Sequence, residues 1–247
     1  VEAGQIALRY FGSDNKVWQK NGNSPVSEAD FAVDTFLKEK LLGARPHYGW
    51  LSEETEDDQG RLNSERVFVV DPIDGTRGFL AGSKQWCVSV AIIEHKRPSV
   101  AVLECPALEQ TFCASKGNGA MLNSQVMPNL TSDVLKTITG SRKLNSIMEA
   151  HDQNELQVIP FIPSLAYRIA MVANRDIDAA LARPGAQDWD LAAADLILQE
   201  VGGAMVDVEG NLRQYNQLNT RSGSLLASSS GTQGRLMELA KSNGFLH

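Results

Sequence analysis

The stretch Val67-Phe-Val-Val-Asp-Pro-Ile-Asp-Gly-Thr-Arg-Gly-Phe79 constrains this chain more than any other. Val67 to Val70 form a continuous, β-branched apolar run, the pattern of a buried strand. Asp71 stands where that strand should end. Pro72 cannot donate a ladder hydrogen bond, so the sheet is expected to stop there. Asp74 follows three residues later, and Gly75-Thr76 should open a helix or a tight turn. Two carboxylates on one rigid turn, with the Ile73 carbonyl between them, bring hard oxygens together, a donor set that suits Mg²⁺. Backbone N–H groups after Gly75 would then receive a phosphate, as helix N-termini do. The plainer alternative is an Asx-turn followed by a helix cap. Asp-x-x-Asp alone favours that alternative, but the whole run from Asp71 to Thr76 is far more specific.

Other acids fall at the ends of predicted elements. Ser27-Glu-Ala-Asp30 fits a capping box, and Val33, Phe36, Leu37 and Leu41 form the apolar face of the helix behind it. Capping alone is the plain role for Asp30. Tyr48-Gly-Trp-Leu-Ser-Glu-Glu54 reads as a short strand ending in two acids. Adjacent like charges gain from a nearby cation. The alternative is a solvated loop, since Glu56, Asp57 and Asp58 follow. Asp188-Trp-Asp-Leu-Ala-Ala-Ala-Asp195 starts an Ala-rich helix that Gly202-Gly203 should end. Leu191, Ala194, Leu198 and Val201 are expected on its apolar face. Asp190 sits at its positive end, where capping is again the plain role, and Trp189 is expected to pack.

Taken in order, Ser24–Asp30, Ser52–Glu54, Asp71–Thr76 and Asp188–Ala193 resemble the signatures of the inositol monophosphatase superfamily. These are Mg²⁺-dependent, lithium-sensitive phosphomonoesterases. The resemblance implies a mixed α/β fold, a layered αβαβα sandwich, commonly a homodimer. It implies two or three Mg²⁺ held by Glu53, Asp71, the Ile73 carbonyl, Asp74 and Asp190. It also implies that Asp30 pairs with Thr76 to orient an attacking water, with Glu53 assisting catalysis. Ser52 stands where the family usually has Gly.

The remaining sequence agrees with an α/β chain. Residues 3–11 look like an amphipathic helix, and a polar linker runs from Lys20 to Pro25. Residues 86–114 read as an antiparallel meander, with a turn at His95-Lys-Arg-Pro98 and an end at Gly117-Asn-Gly119. His95 is read as a solvated turn residue. Polar sequence near Pro128 suggests a boundary between an antiparallel-rich half, 1–130, and an α/β half, 131–247. In the second half, strands are expected at 137–139, 177–181, 204–208 and 225–228, and helices at 164–173 and 232–242. Gly140-Ser-Arg142 follows the first of these strands. The family resemblance makes Ser141 and Arg142 substrate contacts, whereas a helix N-cap is an equally good reading of Ser141.

The net charge is −7, with no basic cluster, so a nucleic-acid surface is not expected. No apolar run approaches a membrane span. Cys87, Cys105 and Cys113 show no zinc spacing and read as buried free thiols in a reducing cytoplasm. The chain begins at Val1 without Met, so a trimmed or incomplete N-terminus is expected. No signal peptide is visible.

The chemistry implied is hydrolysis of a small phosphate monoester by metal-activated water. Gly75 and Thr76 amides would cradle the phosphate, and no covalent phosphoenzyme is needed. Inositol-specific relatives carry an acid seven residues before the Trp-Asp aspartate, where this chain has Arg183. A cation there suits a second phosphate. Together with Asp188-Trp189-Asp190 and Ser-Pro-Val-Ser, this favours a 3′(2′),5′-bisphosphate nucleotidase acting on 3′-phosphoadenosine 5′-phosphate. Inositol 1-monophosphatase is the alternative. A regulatory binding partner of transcription or RNA-processing machinery, and a structural fold with a relic site, are the readings from other classes.

Overall fold

β4 (Arg66–Asp74) separates two apolar layers. Val67 and Val69 join the largest core cluster on one side, while Phe68 and Val70 join a second cluster on the other. Successive strand side chains point to opposite faces, so one buried strand serves both layers. The computed structural model describes residues 1–19, 25–151 and 156–242, with only the backbone course for 147–151. Of the predicted linker from Lys20 to Pro25, all but Pro25 lies outside the described residues, and Pro25 opens a strand.

β4 pairs in parallel with β3 (Gly49–Ser52) and antiparallel with β5 (Cys87–Glu94). β6 (Arg97–Cys105), β7 (Gln110–Ser115), β8 (Ala120–Leu122) and β9 (Gln125–Val126) complete a seven-stranded sheet. Its first face is covered by α1 (Glu2–Tyr10) and α2 (Glu28–Ala44), through Ala7, Val33 and Leu37. A small hairpin of β1 (Val17–Gln19) and β2 (Pro25–Ser27) leads into α2. The short α3 (Thr76–Leu80) follows β4 directly.

The second sheet contains β10 (Thr137–Thr139), β11 (Gln157–Val158), β12 (Ala179–Ala182), β13 (Gly203–Val206) and β14 (Leu225–Ser229), in the order β11-β10-β12-β14-β13. Between the two sheets lie α5 (Leu165–Ala173) and α6 (Asp188–Glu200). Outside the second sheet, α4 (Arg142–His151) and α7 (Gln233–Ser242) contribute Leu144, Leu236 and Ala240 to a third cluster. The result is the layered αβαβα sandwich. No described helix is long and apolar enough to cross a membrane.

Several local expectations need correction. Pro72 does not end the sheet. β4 continues to Asp74, because the register against β5 shifts between Asp71↔Ser89 and Asp74↔Cys87. That bulge spares Pro72 a ladder bond it cannot make. The turn at His95 is only two residues long. His95 and Lys96 both have positive φ, and β6 starts at Arg97. The meander does not stop at Gly117-Asn-Gly119, since β8 and β9 follow it. β12 and β13 are each displaced from their expected spans by one or two residues. Cys87 and Cys105 are buried as expected, but Cys113 is only half-buried. α6 is also less one-sided than its spacing suggests: every residue from Leu191 to Leu198 is buried. Packing between two sheets covers all of its faces.

Candidate metal centre and active site

Asp71, Asp74 and Asp190 converge, with one oxygen from each lying within 4.8 Å of the others. The bulge in β4 aims the first two, and the first turn of α6 supplies the third. Each carboxylate is anchored through backbone. The Ile73 N–H donates to Asp71 Oδ1 at 3.0 Å, and the Gln187 N–H donates to Asp190 Oδ2 at 2.7 Å. Asp74 Oδ2 accepts from the Ser164 hydroxyl at 2.5 Å and from the Ala166 N–H at 2.6 Å. Ser164 is itself the N-cap of α5, accepting from the Tyr167 N–H at 3.0 Å.

Close packing of these acids makes their protons hard to remove. Burial, then the charges of Glu53, Asp74, Asp190 and Asp30, push the Asp71 carboxyl well above the ordinary carboxylate range. Burial raises Asp74 to about 6, against the downward pull of Ser164, the Ala166 N–H and Arg168. Burial and the Asp74 charge likewise push Asp190 well up. Carboxylates that repel one another and offer hard oxygens fit a divalent cation such as Mg²⁺.

Thr76 follows on the same turn, its hydroxyl 3.3 Å from Asp30 Oδ1 and 3.0 Å from the Ile73 carbonyl. Asp30 is fully buried at the third position of α2, and its Oδ2 accepts from both the N–H and the hydroxyl of Ser27. Capping and the contact with Thr76 thus use different oxygens of one carboxylate. Gly75 caps α3 with φ +93°, and a Cβ there would lie 3.0 Å from the Ser164 backbone nitrogen. Only glycine allows this turn to approach α5 so closely.

The acid loop after β3 is tied to α2. The Ser52 and Thr55 hydroxyls donate to the two oxygens of buried Asp34, at 2.5 and 2.7 Å. Glu53 lies between them, half-buried, and its N–H donates to the Val70 carbonyl at 3.2 Å.

The three aspartates, Glu53 and the Gly75-Thr76 turn open onto a cleft of about 780 Å³. Glu53, Asp71, Asp74, Gly75, Thr76 and Asp190 line it, as do Ser141, Arg142 and Arg183. Ile73 is buried beneath it. Ser141 also caps α4, accepting from the Leu144 N–H at 3.3 Å.

Among the other cleft residues, Arg77, Lys143 and Phe161 escaped the sequence reading. Two guanidinium groups approach the Phe161 ring, Arg142 at 4.9 Å and Arg168 at 5.6 Å from its centre. Arg168 is buried behind the acids; burial lowers it to about 10, opposed by Asp74 and Asp190. A lone cation in the otherwise uncharged Leu165–Ala173 helix was the available signal for it.

Comparison with known proteins agrees with this geometry. The model of the inositol monophosphatase family matches residues 1–244. An inositol-1-monophosphatase of Rhizobium meliloti is 33% identical over 221 residues, covering 85% of this chain and 82% of that protein. A 3′(2′),5′-bisphosphate nucleotidase CysQ of Aggregatibacter actinomycetemcomitans is 28% identical, covering 87% and 84%. The crystal structure of the extragenic suppressor protein suhB from Bartonella henselae superposes with a TM-score of 0.84 at 26% identity, covering 97% of this chain and 94% of that one. The match runs nearly end to end, and this chain belongs to the inositol monophosphatase family, whose members are Mg²⁺-dependent phosphomonoesterases.

Proposed function

We propose that this chain hydrolyses a doubly phosphorylated nucleotide such as 3′-phosphoadenosine 5′-phosphate at a single ester phosphate. One observation carries the reading: Asp71, Asp74 and Asp190 share their cleft with Arg77, Arg142, Lys143 and Arg183. A compact acid cluster serves the metal. A cationic wall beside it suits a substrate with a second phosphate. The half-buried ring of Phe161 lines the same cleft and adds an aromatic contact for a flat base.

Bound Mg²⁺ would neutralise phosphate charge and lower the pKa of an attacking water. The donors we assign to it are the carboxylates of Glu53, Asp71, Asp74 and Asp190, with the Ile73 carbonyl. The Thr76 hydroxyl donates inward, to Asp30 and the Ile73 carbonyl, which turns its lone pairs towards the cleft. Thr76 then accepts from the water and holds its oxygen in line with phosphorus. A new P–O bond forms as the ester P–O bond breaks; the proton given up by the attacking water passes to water in the open cleft, and the leaving oxygen takes one back from it. Gly75 and Thr76 N–H groups face the phosphate oxygens in this scheme.

An inositol monophosphatase is the second reading, supported by the higher identity to the Rhizobium enzyme, 33% against 28% for CysQ. The three free cysteines suit a reducing compartment such as the cytoplasm. Phosphate release from 3′-phosphoadenosine 5′-phosphate and from inositol 1-phosphate, with Mg²⁺ and with Asp71→Asn as the control, tests the proposal. Preference for the nucleotide is expected. Preference for inositol 1-phosphate would replace the first reading by the second.

A further inference from the structure

Four charges outside the acid cluster, Asp188 and Arg61 buried and Arg213 and Asp57 partly so, form one connected set. Asp188, at the first turn of α6, accepts from Nε and Nη2 of Arg213 at 3.1 and 2.6 Å. Its other oxygen accepts from the Asn216 N–H at 2.8 Å. The Asn216 side chain turns the opposite way and accepts from Arg61 Nη1 at 2.6 Å. Arg61 is 2% exposed and pairs with Asp57 through Nε and Nη2, at 3.0 and 2.7 Å. It also donates to the Gln217 carbonyl at 3.2 Å. A second lacing runs beside the first. Arg213 donates to the Thr220 carbonyl at 2.5 Å, the Thr220 hydroxyl to Gln187 Oε1 at 2.7 Å, and the Gln187 N–H to Asp190.

These bonds join two distant parts of the metal site. Asp57 belongs to the loop that carries Glu53, and Asp188 belongs to the helix turn that carries Asp190. Burying charges is costly unless their geometry is fixed and fully hydrogen-bonded, and here it is. None of the four charged residues lines the cleft. Rigid placement of what they hold is the return on their burial.

We propose that residues 213–217 form a strap that sets the separation of Glu53 and Asp190, and through it the affinity for Mg²⁺. Asp188, Arg213, Asn216, Arg61 and Asp57 are its positioning residues. The inference rests on the metal-site reading above.

Asn216→Gly tests it most gently. Asn216 has φ +55°, a conformation glycine adopts without cost, and Arg61 keeps both Asp57 and Gln217. Mg²⁺ is titrated calorimetrically into the substrate-free full chain, alongside wild type, Asp71→Asn and Asn216→Asp. Asn216→Gly should bind Mg²⁺ about tenfold more weakly, the usual effect of disturbing groups that orient metal ligands. Asn216→Asp keeps an acceptor for Arg61 and should stay close to wild type. In turnover, the Mg²⁺ requirement should rise while kcat at saturating Mg²⁺ is retained.

Arg61→Lys, which keeps the charge but loses the guanidinium fork, is the second variant and carries the same expectation. Unchanged affinity in a folded variant overturns the strap, even if thermal stability falls. Failure of wild type to bind, or binding by Asp71→Asn equal to wild type, overturns the metal-site reading itself.

Discussion

The Ser164 hydroxyl donates to Asp74 across 2.5 Å, joining the cap of a helix between the sheets to the last residue of β4. Ser164 also accepts from the Tyr167 N–H, so one side chain serves both the helix and the carboxylate. Ser164→Ala should cost about 1 kcal/mol of stability through the lost cap. It also removes a bond that favours ionised Asp74, so the carboxyl should hold its proton more tightly. The Mg²⁺ concentration for half-maximal activity should rise at pH 6.5 and return towards wild type at pH 8.5. An equal defect at both pH values would assign Ser164 to structure alone.

Metal-free protein should lose stability as pH rises. Asp74 stands at about 6 in the fold, against an ordinary 3.8 for an aspartate. A raised carboxyl favours the folded state while protonated. That contribution is complete below about pH 4 and is lost as pH passes 6; for a shift of this size it is about 3 kcal/mol. Asp71 and Asp190, pushed the same way, extend the loss to higher pH. Mg²⁺ should reverse the trend, because it binds the ionised cluster. Thermal unfolding between pH 4.5 and 8, with Mg²⁺ or with EDTA, checks this. The gap in Tm should widen with pH, and a constant gap would contradict it.

Thr76 can be separated from metal binding. Thr76→Val keeps the shape and removes the hydroxyl that meets Asp30 at 3.3 Å. We expect kcat to fall about a hundredfold, the usual order for losing a group that positions the attacking atom. Calorimetric Mg²⁺ affinity should change little, since the acid cluster is intact. Thr76→Ser should restore most of the rate.

Arg183 bears on substrate choice. Arg183→Ala should raise KM for 3′-phosphoadenosine 5′-phosphate about tenfold or more, the effect of losing one charged hydrogen bond. KM for inositol 1-phosphate should stay near wild type. Equal changes for both substrates would remove Arg183 from recognition of a second phosphate.

Local pattern was enough for much of the chain. The apolar run at Val67, the capping box at Ser27 and the Ala-rich segment after Asp190 each depend on a few neighbouring residues, so the elements bearing Asp30, Asp71, Asp74 and Asp190 were legible. Pro72 was misread because a proline ends a strand only where the neighbouring strand requires its N–H. Here the register shift removes that demand.

Packing between layers decided the rest. Ser164 reaches Asp74 across 90 residues, and Asp188 reaches Arg213 across 25. Neither separation follows a helix or strand period, so nothing local announces the partner. Asp188 read as part of an acid-Trp-Asp signature, yet its carboxylate is wholly occupied by Arg213 and Asn216. The burial of α6 on every side likewise comes from the two sheets that enclose it. Periodicity records which side of an element is apolar. A buried charge finds its partner only when the layers close, because that is when water is excluded and the pairing becomes obligatory.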